Sequence, residues 1–126
     1  VGDDIFVVHD AENQFFRIQV KTATGRELKR GGYRAQFAVG YEQLLSLRTP
    51  EPYYVLTARC QGRWDAFLIF SRVKLREEFE EYDVGSLSSN EAITFSFTFR
   101  EESVISGKRD FSTHLNDWSK WPIIAH

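Results

Sequence analysis

Ala92-Ile93-Thr94-Phe95-Ser96-Phe97-Thr98-Phe99-Arg100 alternates apolar and polar residues without a break. Neighbouring side chains of a strand point to opposite sides, so Ile93, Phe95, Phe97 and Phe99 form one face and Thr94, Ser96 and Thr98 the other. The inward face needs an apolar layer over it. The outward face is wet or lightly covered.

The same logic places further elements. Pro52-Tyr53-Tyr54-Val55-Leu56-Thr57-Ala58-Arg59-Cys60 is apolar on both faces, which predicts a central strand covered on both sides. The Gln61-Gly62-Arg63 turn leads into Trp64-Asp65-Ala66-Phe67-Leu68-Ile69-Phe70, its antiparallel partner. Residues 73–82 read as a helix with Leu75, Phe79 and Tyr82 at i, i+4, i+7 on the buried stripe. Glu77, Glu78, Glu80 and Glu81 then belong to a solvated acidic face. Gly107-Lys108-Arg109-Asp110 precedes a last helix, with Phe111, Leu115 and Trp118 buried and His114 beside them as a satisfied structural histidine; Trp121-Pro122 stops it. Residues 33–39 read as a strand followed by a short helix over 41–47, or the whole of 34–47 is helical. The sum is an α+β chain (α/β in the broad sense) with a mixed central sheet flanked by helices.

At 126 residues the chain is a single domain, and eleven Phe point to a well-filled interior. No apolar run approaches the ~20 residues of a membrane helix, so no membrane partner is expected. The lone Cys60 cannot form an internal disulfide and fits a reducing compartment, the cytoplasm. His9, His114 and His126 have no zinc-like spacing. Net charge is -2, but residues 1–74 carry eleven Lys/Arg against eight Asp/Glu, whereas residues 75–126 carry five against ten. The basic half is the amino-terminal one, where phosphate steering would act.

That half opens with two strand-like runs, Gly2-Asp3-Asp4-Ile5-Phe6-Val7-Val8-His9-Asp10 and Phe15-Phe16-Arg17-Ile18-Gln19-Val20-Lys21-Thr22, joined by a polar turn. They predict a hairpin. In the second strand Phe16, Ile18 and Val20 share one face, and Arg17, Gln19 and Lys21 share the other. With His9 opposite Phe16, Asp4 faces Lys21 and Gln19 is its diagonal neighbour. A register shifted by one residue substitutes Asp3 for Asp4.

Gly-x-Asp at the mouth of a strand, a short turn and a hydrophobic strand ending in Gln19-Val20-Lys21-Thr22 resemble the core of the PD-(D/E)xK nuclease superfamily, the restriction-endonuclease-like fold. The resemblance implies a metal-dependent nuclease, a hydrolase of DNA phosphodiesters using Mg²⁺ or Mn²⁺. Asp4 and Gln19 become metal ligands, with the Val20 carbonyl completing the shell, and Lys21 the catalytic lysine. Gln19 stands where the family usually carries Glu or Asp. The family's first helix has no room before Val1, so an upstream helix is expected to be missing. Partners would be nucleic acid, DNA first, and a second copy of the chain as a homodimer. Arg17 shares the Lys21 face and could touch a phosphate. Arg26, Lys29 and Arg30 lie in a loop over 22–32 that is either a clamp on the nucleic-acid backbone or a solvated connector. Gln43, with Tyr41, falls where relatives use a helix to touch DNA, although core or cap roles compete for both.

The competing reading is a non-catalytic α+β module, for interaction or for nucleic-acid binding through a degenerate site. In it Asp4 and Lys21 are only a cross-strand ion pair worth ~0.2–1 kcal/mol.

Overall fold

The computed structural model describes residues 4–9, 15–46 and 52–118, with the backbone alone at 4–9, 15–16 and 63–65. Its elements are β1 (Asp4–His9), β2 (Phe15–Thr24), β3 (Arg26–Glu27), β4 (Tyr33–Gly40), α1 (Tyr41–Leu45), β5 (Pro52–Cys60), β6 (Arg63–Ser71), α2 (Arg72–Tyr82), β7 (Ser86–Leu87), β8 (Ala92–Arg100), β9 (Ser103–Ser106) and β10 (Arg109–Asp110), closed by a 3₁₀ turn at Ser112–His114. The fold is mixed α+β, mostly sheet, with two helices.

The strands form two sheets rather than the single central one expected. The first runs β1-β2-β5-β6; the second runs β10-β9-β8-β4-β3, with β7 also paired to β8. In the first sheet β1 and β2 form the expected antiparallel hairpin, β2 and β5 are parallel, and β5 and β6 antiparallel. The second sheet exists because the alternating residues of β8 need a cover of their own. Ile93, Phe95, Phe97 and Phe99 are all buried and pair in register with Val39, Phe37, Ala35 and Tyr33 of β4. This inner face packs on Tyr54, Leu56 and Ala58 of β5 and Ala66, Leu68 and Phe70 of β6 in one continuous core. The far side of the first sheet carries a small second cluster of Ile18, Val55 and Ile69. β5 is thus buried on both faces, as its composition predicts.

The chain passes from the first sheet to the second through Gly25. A Cβ there would lie 2.6 Å from Cδ2 of the Tyr33 ring, so the crossing is sterically reserved for glycine. Residues 22–32, expected as a loop, are in part strand. β2 continues to Thr24, and β3 and β4 form a hairpin whose tip is closed by the Leu28 N–H donating to Gly32 O at 3.0 Å.

The carboxy-terminal helix expected between Asp110 and Trp121 does not form over its described residues, 111–118, beyond the 3₁₀ turn. Phe111 is buried, but the chain then turns and lies along β6: Leu115 bridges Leu68, the Asn116 N–H donates to Phe67 O at 2.7 Å, and Asn116 Oδ1 accepts from Phe67 N–H at 3.0 Å. Pairing with an open strand edge satisfies backbone groups that a short helix would leave to its caps. Trp118 is 45% exposed and leans on Phe67, while Trp121-Pro122 lies outside the described residues. The ring of His114 stacks on Phe70 at 4.5 Å, with Nδ1 3.2 Å from Ile69 O, a structural place.

α2 forms where expected, capped by the Ser71 hydroxyl accepting from the Lys74 N–H at 3.1 Å. Its acidic face is not uniformly solvated. Glu78 is fully buried, receives two hydrogen bonds of 2.8 Å from Arg109 and lies 2.9 Å from Lys74 Nζ. Tyr82, assigned to the buried stripe by spacing, is exposed and lies under the Arg109 guanidinium, 3.8 Å from its ring centroid. The reason is β10, which brings Arg109 to the helix from far along the chain.

Candidate functional site on the inner face of β2

The polar face of β2 is turned inward. Gln19 and Lys21 register with Tyr54 and Leu56 of β5, and in a parallel pair such residues point to the same side. That side faces the second sheet and the main core. Gln19 is 4% exposed and Lys21 6%, and Ala23, next on the same face, packs against the core. Arg17, two residues before Gln19 on this face, is half-buried. The apolar Ile18 and Val20 serve the smaller cluster on the opposite side.

α1 brings Gln43 to this face. Gln19 Nε2 donates to Gln43 Oε1 at 3.0 Å, across 24 positions of sequence. The bond fixes the orientation of the Gln19 amide and leaves its carbonyl oxygen on the other branch. Gln43, expected as a nucleic-acid contact, is therefore first of all the hydrogen-bond partner of Gln19. Tyr41 packs edge-on against Phe79, with ring centroids 6.4 Å apart, which is its core role.

The hairpin register differs from the expected one by one residue. Asp4 is the partner of Val20, and His9 that of Phe15. Asp4 thus occupies the register position belonging to the Val20 side of the sheet, not the Lys21 position. The sequence could not fix this, because the register depends on the length and geometry of the connecting turn. Asp3, the substitute named for a shifted register, lies outside the described residues.

A divalent cation prefers hard, anionic oxygen donors. The donors described on β2 are the Gln19 amide oxygen and the Val20 carbonyl, both neutral, the latter in the plane of the sheet between β1 and β5. Among the described residues no three His, Cys, Asp or Glu side chains converge. These donors alone do not make a Mg²⁺ site, and a carboxylate from the Gly2-Asp3-Asp4 stretch would have to complete it.

Immediately beyond Lys21 the strand enters a groove of about 650 Å³, lined by Thr22, Thr24, Arg26, Glu27, Lys29, Arg34 and Gln36, with Ala23 and Leu28. Of the basic loop residues singled out in the sequence, Arg26 and Lys29 line the groove; Arg30 is exposed at the hairpin tip and is not among its lining residues. Arg34 and Gln36 were missed. Their signal was present as the outward alternation of residues 33–39, legible only if that segment is taken as a strand and not a helix.

Among the described residues no helix is long and apolar enough to cross a membrane. Comparison with protein-family models, with curated proteins and with solved structures found no match to the chain.

Proposed function

We propose that the chain is a nucleic-acid-processing domain that hydrolyses phosphodiesters in the manner of the PD-(D/E)xK nucleases, with DNA as substrate and Gln19 and Lys21 at its centre. The observation that carries this reading is the placement of Gln19 and Lys21 side by side on the inward, buried face of β2, the strand whose next residues, Thr22 and Thr24, line a basic groove on its other face. Lysine and glutamine seldom sit at such burial without a specific task, since removing them from water costs free energy that apolar residues would not.

Lys21 would hold an oxygen of the scissile phosphate or the attacking water, stabilising negative charge as it develops. Gln19, held by Gln43, would orient the group beside it. A bound Mg²⁺ or Mn²⁺ would supply charge neutralisation and a lowered pKa for water; Gln19 and the Val20 carbonyl would hold it only together with a carboxylate from the Gly2-Asp3-Asp4 stretch. Arg17 extends the same face away from the groove.

The test is cleavage of supercoiled, duplex and single-stranded DNA with Mg²⁺ or Mn²⁺, comparing the natural chain with Lys21→Met. Methionine keeps the apolar stem and removes the ammonium. Cleavage is expected to fall about a hundredfold or more while the thermal melt shows a folded protein. Equal cleavage by Lys21→Met would remove Lys21 from the chemistry, and no cleavage by the folded natural chain would refute hydrolysis.

The register of Asp4 opposite Val20 favours a second reading, a binding module of the same shape that does not cut. It predicts DNA retention without cleavage under every metal condition.

A further inference from the structure

The β3-β4 hairpin places two arginines where folding alone would not. Arg26 and Arg34 are direct cross-strand partners in an antiparallel pair, and both are exposed. Such partners have Cβ atoms ~5 Å apart, and like charges there destabilise a sheet. Neither takes part in an ion pair among the described residues. A pair of cations held at this spacing is matched by an anion that bridges them.

The surroundings fit such an anion. Lys29 adds a third cation, Thr22 and Thr24 present hydroxyls, and Gln36 an amide, all lining the same groove. The one acid there, Glu27, accepts a hydrogen bond from Gln61 Nε2 on the β5-β6 turn. The hydroxyl-bearing strand is β2 itself. Thr22 follows Lys21 by one step of about 3.3 Å along the backbone, but its side chain and that of Thr24 lie on the face opposite Lys21 and open to solvent.

We infer that the groove between the end of β2 and the β3-β4 hairpin binds the sugar-phosphate backbone of a DNA strand, with Arg26 and Arg34 clamping one phosphate and Lys29 and the threonine hydroxyls holding its neighbours. The inference rests on the nuclease reading for its choice of DNA and assigns a backbone-holding groove on the side of β2 opposite the Lys21 side chain, since Thr22 and Thr24 alternate with Lys21 along the strand. The groove's side chains meet phosphate, so they position the strand without reading sequence.

Fluorescence anisotropy of labelled 20-nucleotide single-stranded and duplex DNA, in EDTA and over 50–300 mM salt, tests it. The natural chain should bind, with log affinity falling linearly in log salt. Arg26→Ala combined with Arg34→Ala should weaken binding about tenfold or more at low salt and flatten the salt slope by about two, one for each cation removed from the phosphate backbone. Both sites are exposed, so the thermal melt should hold. Unchanged affinity and slope in the double variant would overturn the inference, as would binding of neither DNA. A groove that takes inorganic phosphate or pyrophosphate but not DNA would overturn it equally. EDTA keeps the outcome separate from catalysis. DNA that binds through the arginines but is never cut refutes hydrolysis alone, and cleavage with arginine-independent binding refutes the groove alone.

Discussion

Two groups of charges sit on opposite sides of the second sheet's strand order, and they are built on opposite principles. At α2 and β10, Glu78 is buried beneath Arg109 and Lys74, with Arg109 stacked on Tyr82, so each charge has a counter-charge and a fixed geometry. At β3 and β4, Arg26 faces Arg34 with Lys29 beside them, and the neighbouring acid is engaged elsewhere. The first arrangement closes on itself and ties a helix to a distant hairpin. The second is left electrostatically incomplete by the fold, which is the mark of a surface made for something outside the chain.

The contrast is broken most forcefully at Glu78. Glu78→Ala should cost ~3 kcal/mol in denaturant unfolding, because it leaves two cations gathered around a vanished carboxylate. An effect under about 1 kcal/mol would mean that the cluster is no more than a surface ion pair.

Acid should act on the same spot. Burial pushes the Glu78 carboxyl up, but hydrogen bonds from Arg109 and Lys74 more than offset it, and it lies below the ordinary 4.5. A carboxyl lowered by folding stabilises the native state above its unfolded-state value and loses that contribution as pH falls through the folded one. Unfolding midpoints measured from pH 7 down to pH 3 should therefore drop more steeply for the natural chain than for Glu78→Gln. Asp110, lowered by the Ser112 hydroxyl and then the Ser112 N–H, adds in the same direction.

The smallest effect carries the opposite sign. Arg34→Glu turns the like-charged pair into an ion pair with Arg26 and should stabilise the fold by ~0.5 kcal/mol while abolishing DNA retention. A variant that is more stable and less able to bind would show that the hairpin keeps its repulsion for a ligand. Lost stability in Arg34→Glu would place Arg34 among the residues that hold the fold.

What is readable from sequence follows from the range of the interactions concerned. The strands of residues 15–22, 52–60, 64–70 and 92–100 and the helix at 73–82 are legible because alternation and the 3.6-residue stripe are local properties of neighbouring residues. The adjacency of Gln19 and Lys21 on one face is legible for the same reason. The carboxy-terminal helix is a false signal because Phe111, Leu115 and Trp118 imitate a helical stripe, whereas the open edge of β6 offers the segment better-satisfied backbone hydrogen bonds.

The sequence by itself determined which side chains travel together: four aromatic or aliphatic residues on one side of β8, an amide and an ammonium on one side of β2, basic residues gathered in the first half of the chain. Tertiary structure alone decided what each face meets. It folded the strands into two sheets, turned the polar side of β2 toward the core, set Asp4 opposite Val20, brought Gln43 to Gln19 and Arg109 to Glu78, and aligned Arg34 with Arg26. Periodicity is a property of adjacent residues, but register, sheet order and pairing depend on turns and packing that close over tens of positions, and no local pattern encodes them.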